Sequence, residues 1–367
     1  MKKSKGKILV AMSGGVDSSV AAQLLKDQGY DVVGIFLHFW SDSAAASSDK
    51  KDDIGSNKCC SLQALLDAKA VAHKIGIELH TFNFSAPFKK DVVDYFLEEY
   101  QGGKTPNPCV MCNRKIKIGR LLEYARGLGF DYVATGHYLN LKKIGKNIHV
   151  YSAKDKAKDQ SYFLYTFKPE QWQHLMFPLG NYTKPQVRAM AKKFGLPTAS
   201  KSDSQEICFI PGKHHNDFLK RYLKMKAGDI KLIDEDNKVI GRHQGLPLYT
   251  IGQRRGVEIG GDGPYYVAKF DWQKNDLYVV RKFDDAIFFG GELVATDLNW
   301  ISGKEPKMPL KCEAVIRYHH PAVKCTVDKN DTGDYLVKFL KPQRAITPGQ
   351  SIVFYSKQEV LGGGIIN

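Results

Sequence analysis

Lys7-Ile8-Leu9-Val10-Ala11-Met12-Ser13-Gly14-Gly15-Val16-Asp17-Ser18-Ser19 is the stretch on which the fold turns. Its first half is a short apolar run that reads as a buried strand. From 18 to 28 the apolar residues return at Val20, Ala21, Leu24 and Leu25, on one helical face, and Gly29 stops the helix. Between strand and helix, two glycines let backbone N–H groups point at an anion, and the helix N-terminus behind them adds partial positive charge. Ser13, Ser18 and Ser19 add hydroxyl donors. The lysine of a G-x-x-x-x-G-K-[ST] loop is missing, so this is not the cradle of a γ-phosphate-transferring ATPase. A capped helix after a glycine turn would explain Gly14-Gly15 alone, but not the whole string after a strand.

Outward from that turn, strands and helices alternate. Residues 32–40 read as a second strand, and the Ser-, Asp- and Lys-rich stretch 41–58 as a mobile loop. A helix at 61–75, a strand at 77–84 and a helix at 91–100 follow. Ile118, Leu121, Leu122, Ala125 and Leu128 mark one face of a further helix, before a strand at 131–134. Such alternation predicts an α/β domain, a parallel sheet with helices on both faces. Beyond Pro211 the apolar runs become short and β-rich, separated by turn clusters such as Asp234-Glu235-Asp236-Asn237. This half is expected to form barrel-like β modules. The expected domains are 1–211, 212–284 and 285–367.

A chain of 367 residues is too long for one ordinary core, and 43% apolar with 25% charged residues describes a globular protein. No run of about 18 apolar residues is present, so no membrane partner is expected. The basic N-terminus leads into an apolar stretch too short for a signal peptide, and the expected location is cytoplasmic. A net charge of +15 favours polyanion partners, although a lysine-rich solvated surface would give the same sum. Seven cysteines, an odd number, argue against a disulfide framework and leave reactive thiols or metal ligation open.

Two of them form a C-x-x-C in Thr105-Pro106-Asn107-Pro108-Cys109-Val110-Met111-Cys112-Asn113, read as a proline-stiffened loop entering a helix. The helix N-terminus with Arg114, Lys115 and Lys117 would favour thiolate there. Cys208 lies in Ser202-Asp203-Ser204-Gln205-Glu206-Ile207-Cys208-Phe209-Ile210. Three readings compete: a structural zinc site, which lacks an obvious fourth ligand; a thioredoxin-like pair, which lacks its fold; and a sulfur relay. Cys59, Cys60, Cys312 and Cys325 read as buried or incidental thiols.

The phosphate loop resembles that of the N-type ATP pyrophosphatases (the PP-loop superfamily). Together with 105–113, Ala134-Thr135-Gly136-His137-Tyr138, Lys158-Asp159-Gln160-Ser161-Tyr162-Phe163-Leu164, Ile207-Cys208-Phe209-Ile210, His243-Gln244-Gly245, Ile251-Gly252-Gln253-Arg254 and Thr347-Pro348-Gly349-Gln350, it is similar to the tRNA-specific 2-thiouridylases. These motifs span nearly the whole chain. The resemblance implies that Ala11, Met12, Ser13, Gly14, Gly15, Val16, Asp17 and Ser18 hold ATP, with Leu37 and Gly136 lining the nucleotide and Asp17 placing Mg2+. Asn107, Pro108 and Cys109 would border the target base. His137, Lys158, Asp159, Gln160, Arg317, Tyr318 and Gln350 would touch tRNA. Without the family, His137 reads as a core histidine and Arg317-Tyr318 as a strand edge.

The same resemblance makes Cys112 the nucleophile and Cys208 the persulfide carrier, loaded by an upstream sulfur-donor protein. The wobble uridine's C2 oxygen would be adenylated and then replaced by sulfur, giving AMP and pyrophosphate. Several family members carry Asp where this chain has Cys109. The extra thiol motivates a further arrangement, with Cys109, Cys112 and Cys208 ligating three irons of a four-iron, four-sulfur cluster. Two other classes stay open: another adenylating ligase on the same loop, and a tRNA-binding protein with a vestigial nucleotide site.

Overall fold

The computed structural model describes residues 4–40, 61–203, 207–210, 215–257, 259 and 263–367. The stretch 41–58, Cys59, Cys60 and residues 204–206 before Cys208 lie outside them. The apolar run becomes β1 (Lys7–Ala11), and the glycine turn delivers the chain to α1 (Val16–Asp27). After β2 (Asp31–His38) come α2 (Leu62–Ile75), β3 (Leu79–Asn83), β4 (Tyr132–Ala134) and later β7 (Leu175–Met176). These strands form one parallel sheet, in the order β3-β2-β1-β4-β7.

Strand alternation divides the apolar residues between two faces. Ile8 and Val10 of β1 join α1 (Val20, Ala21, Leu25), α2 (Ala68, Val71) and Val187 of the helix Lys184–Lys193. Leu9 turns the other way, to Val92, Phe96, Ile118 and Leu121. Each such fully buried aliphatic or aromatic side chain contributes about 1.5–3 kcal/mol.

Residues 139–152 behave differently from the alternating pattern around them. Here β5 (Leu139–Ile144) and β6 (Asn147–Ser152) form an antiparallel hairpin that leaves the parallel sheet. Val150 and Tyr151 of β6 pair with Val360 and Glu359 of β17 (Glu359–Ile366) at the far end of the chain. Leu139 and Val150 are fully buried, so one hairpin face seals the core between the parallel sheet and the C-terminal strands.

The middle segment contributes β8 (Gly228–Leu232), β9 (Lys238–His243), β10 (Tyr266–Asp271) and β11 (Asp276–Val280), ordered β10-β11-β8-β9. Beyond it lie β12 (Phe289–Trp300), β13 (Leu310–Val315), β14 (Val323–Lys329), β15 (Tyr335–Arg344) and β16 (Ser351–Ser356). With β17 they run β12-β15-β14-β13-β16-β17, and a β12–β17 pairing closes these six strands into a barrel, from which β6 and β5 branch at β17. Among the described residues, no helix is long and apolar enough to cross a membrane.

Candidate active site

The site forms where the carboxyl ends of β1, β2 and β4 meet the N-terminus of α1, the usual ligand crevice of an open parallel sheet. Ala11, Met12, Ser13, Asp17, Ser18, Leu37 and Gly136 line one cavity there. Phe39, Lys117, Thr135, His137 and Gln160 complete its wall. Gly14 takes φ +68°, and a Cβ on it would run into the Ala64 carbonyl of α2, so only glycine fits. Gly136 is equally constrained: a Cβ would lie 2.7 Å from the Ser18 nitrogen and 2.8 Å from the Asp17 carbonyl carbon. Ser18 Oγ accepts from the Ser13 N–H at 3.2 Å, and the Ser19 hydroxyl donates to the Gly15 carbonyl at 2.8 Å. These bonds brace the loop against the first turn of α1, beside the cavity that Ser13, Asp17 and Ser18 line.

The cation missing from the loop comes from far along the chain. Lys184, only 8% exposed, donates to both Asp17 carboxylate oxygens at 2.8 and 2.7 Å and meets Asp203 at 2.9 Å. Tyr138 donates to Asp17 Oδ1 at 2.6 Å. Lys158 and Arg188 each reach Asp203 at 2.8 Å, and Lys201 donates to the Gly14 carbonyl at 2.9 Å. Burial pushes the Asp203 carboxyl upward, but hydrogen bonds from Lys158 and Lys184 outweigh it and hold the group down at about 2. A buried ammonium persists only when paired, so Lys184 and the two carboxylates are one unit.

Sequence reading missed Lys184, Arg188 and Lys201. One signal was available: Lys184 opens a helix at Thr183-Lys184-Pro185-Gln186, where Gln186 accepts from the Thr183 N–H at 2.9 Å. A cation in a first helical turn opposes the helix dipole and therefore calls for an anionic partner elsewhere.

The cysteine motif sits inside a helix rather than in the loop before it. Asn107 caps the helix Pro108–Cys112 by accepting from the Val110 N–H at 3.3 Å, and Pro108 fills its first turn. Wider turns carry it through Asn113–Arg120 into the helix Leu121–Gly127. Cys112 is buried, Cys109 half-buried, and Cys208 half-buried. Cys112 belongs to the same large apolar cluster against which Cys208 packs. Among the described residues, no group of three or more His, Cys, Asp or Glu side chains could hold a metal ion. The described residues therefore do not assemble the three-thiol ligand set of an iron–sulfur cluster.

The residues expected to touch tRNA occupy several settings. His137 and Gln160 line the nucleotide cavity itself. Burial, with Lys117 nearby, holds the His137 imidazole down at about 3, so it is neutral; its Nδ1 meets the Thr135 hydroxyl at 2.6 Å. Lys158 belongs to the Asp203 network. Asp159, pushed upward by burial, accepts from the Ala153 N–H at 2.7 Å and the Ser161 hydroxyl at 2.8 Å, a bracing role. Gln350, almost buried, donates to the Thr105 carbonyl at 2.7 Å and so pins the cysteine loop to the barrel. Arg317 and Tyr318 lie between β13 and β14, where the Tyr318 ring packs 4.4 Å from Phe163. Burial, and then the charges of Asp159 and Cys109, push the Tyr318 hydroxyl up to about 12. The barrel thus reaches the vicinity of the C-x-x-C.

Comparison with known proteins agrees with this geometry. Residues 6–212 match a family model described as the tRNA methyl transferase HUP domain. Residues 216–281 match the tRNA methyl transferase PRC-barrel domain, and 291–366 an aminomethyltransferase beta-barrel domain. The tRNA-specific 2-thiouridylase MnmA of Pseudomonas fluorescens (strain Pf0-1) is 45% identical over 99% of this chain and 95% of its own length. The tRNA-specific 2-thiouridylase MnmA of Methylobacillus flagellatus is also 45% identical, over 99% of both chains. MnmA 2 of Thermoanaerobacter sp. (strain X514) is 46% identical over 98% of this chain and 97% of its own. On these grounds the chain belongs to the tRNA-specific 2-thiouridylase family.

Proposed function

We propose that this protein is an ATP-dependent tRNA sulfurtransferase of the cytoplasm that converts the wobble uridine of its tRNA substrates to 2-thiouridine. The observation that carries the reading is the convergence of a lysine-free glycine loop, Asp17 and Gly136 on one cavity. A uridine C2 carbonyl does not expel oxide, so its oxygen must first become a leaving group. Attack of O2 on the α-phosphate of ATP forms the O–P bond, and the bond to pyrophosphate breaks. Loop amides and the α1 N-terminus stabilise the negative charge passing to pyrophosphate. Lys184 and Lys201 supply the cations that a Walker loop takes from its own sequence. Asp17, whose two oxygens are held here by Lys184 and Tyr138, would exchange one of those contacts to hold Mg2+, which when bound would neutralise phosphate charge.

Sulfur then arrives through Cys208. A donor protein leaves a persulfide there, and its terminal sulfur becomes bonded to C2 as AMP departs. Cys112 attacks the Cys208 sulfur, and the S–S bond of the persulfide breaks in favour of a Cys112–Cys208 disulfide. An external thiol must reduce that disulfide before the next turnover. Asn107, Pro108 and Cys109 border the flipped base, while Arg317, Tyr318 and the basic barrel surface hold the anticodon stem-loop. Cys109 shapes the base pocket. Pyrophosphate release with and without tRNA tests the reading. Release only with a wobble-uridine tRNA is expected, and equal release without tRNA would favour a small-molecule ligase.

A further inference from the structure

The hairpin that presents Arg317 and Tyr318 has a pair of thiols at its base. Cys312 of β13 and Cys325 of β14 are direct register partners across antiparallel strands, with their sulfurs 3.6 Å apart. Direct antiparallel partners have Cα atoms about 4.5–5.5 Å apart, inside the range of roughly 4.4–6.8 Å that a disulfide accepts. Closing the bond therefore needs side-chain rotation and little backbone movement. The two residues line an open groove of about 590 Å³ on the barrel wall, with Lys311, Lys324, Lys338 and Lys357 and the carboxylate of Glu313 around it. A small oxidant can enter there. The pair stands on the barrel, apart from the Cys112 and Cys208 cluster.

We propose that Cys312 and Cys325 form a redox modification site, a latent disulfide that staples the hairpin carrying Arg317 and Tyr318. The oxidant is a low-molecular-weight disulfide. One cysteine thiolate attacks it, its S–S bond breaks, and one thiolate leaves, giving a mixed disulfide on the chain. The second cysteine loses its proton to solvent and attacks the chain-side sulfur, and the second small thiolate leaves. The chain loses two electrons and two protons, and the small disulfide gains them as two thiols. The adjacent Cys325 sulfur and burial push the Cys312 thiol up, so closure should quicken as pH rises. The bond bridges the ends of the segment 316–322, whose order it would increase. That last consequence bears on tRNA binding through the proposed role of Arg317 and Tyr318; the disulfide itself does not depend on that role.

Trypsin gives a direct test, because it releases the peptides Cys312–Arg317 and Cys325–Lys329 separately from the reduced chain. The folded, full-length protein is incubated with oxidised glutathione, alkylated, digested without reductant and read by mass spectrometry. The expected result is one linked species of the two peptides, lighter by two hydrogens than their sum and split by dithiothreitol. It should form faster at alkaline than at neutral pH and be absent from Cys312→Ser and Cys325→Ser. Amide hydrogen exchange over 316–322 should slow several-fold in the oxidised protein. Recovery of both peptides only as separate alkylated or glutathione-capped species would overturn the proposal, as would a link seen only after denaturation. A link formed with unchanged exchange would overturn the stapling. Loss of thiolation activity plays no part in the readout, so failure here leaves the assignment of function intact.

Discussion

The glycine-loop cavity and the C-terminal barrel solve opposite problems. At the cavity, the glycine loop and the Asp17 carboxylate meet, the buried Lys184 holds that carboxylate within hydrogen-bond distance, and Gly14 and Gly136 leave no room for a side chain. On the barrel, charge is spread over exposed strands such as β13 and β15, and no single lysine is held as Lys184 is. A convergent site concentrates its energetics in few residues, whereas phosphate grip accumulates by small, salt-screened increments. Substitutions in the first should act as switches, and those in the second as dials.

Asp17→Ala offers the largest expected effect. It removes the partner of Lys184 and Tyr138 and the loop's only carboxylate, so tRNA-dependent pyrophosphate release should be abolished while tRNA affinity changes little. Parental turnover would break the contrast at its stronger end. Cys208→Ser sharpens it within the catalytic half: adenylated tRNA should still form, and thiolated nucleoside should vanish from a mass-spectrometric assay. Normal product from that variant would remove the relay. Gly136→Ala is a graded intrusion, because its methyl group meets the Ser18 nitrogen and Asp17 backbone. A destabilisation of roughly 1–3 kcal/mol is expected from such overpacking, with a raised KM for ATP and tRNA affinity untouched. Denaturant titration and kinetics measure both.

The dial-like half predicts smaller numbers. Arg317→Ala should weaken tRNA binding and reduce the slope of log affinity against log salt by about 0.7–0.9, the share of one phosphate contact. A slope unchanged by the substitution would show that Arg317 does not meet phosphate. The pH effect of His137 leaves activity near neutral pH untouched and shows only in acid. Its folded-state pKa, about 3, lies below the ordinary histidine value, so the unfolded chain binds the proton first as pH falls. Its contribution is therefore fully present above about 6.5 and is lost as pH drops toward 3. His137→Gln should flatten stability against pH in that window, as thermal unfolding across a pH series would reveal.

The two halves also differed in how much the chain disclosed beforehand. Strands around Leu9, Val33 and Val133 were legible because both sheet faces are covered, and buried parallel strands read as continuous apolar runs. The loop was legible because glycines and hydroxyls are adjacent in sequence. Lys184 was not, since its partner Asp17 lies 167 residues away, and its place in a first helical turn calls for an anion without saying which one. The hairpin 139–152 escaped too: its polar turn resembles any surface loop, and only the pairing of Val150 with Val360 reveals its allegiance to the barrel strands. Cys312 and Cys325 look incidental until register sets them side by side.

The central claim is that the uridine's own C2 oxygen attacks ATP. An anticodon stem-loop carrying heavy-isotope oxygen at C2 of the wobble uridine, given to the persulfide-loaded protein with ATP, tests it most directly. AMP should carry the heavy oxygen in its phosphate, pyrophosphate should carry none, and the nucleoside should have exchanged that oxygen for sulfur. Thiolated product accompanied by unlabelled AMP would contradict it.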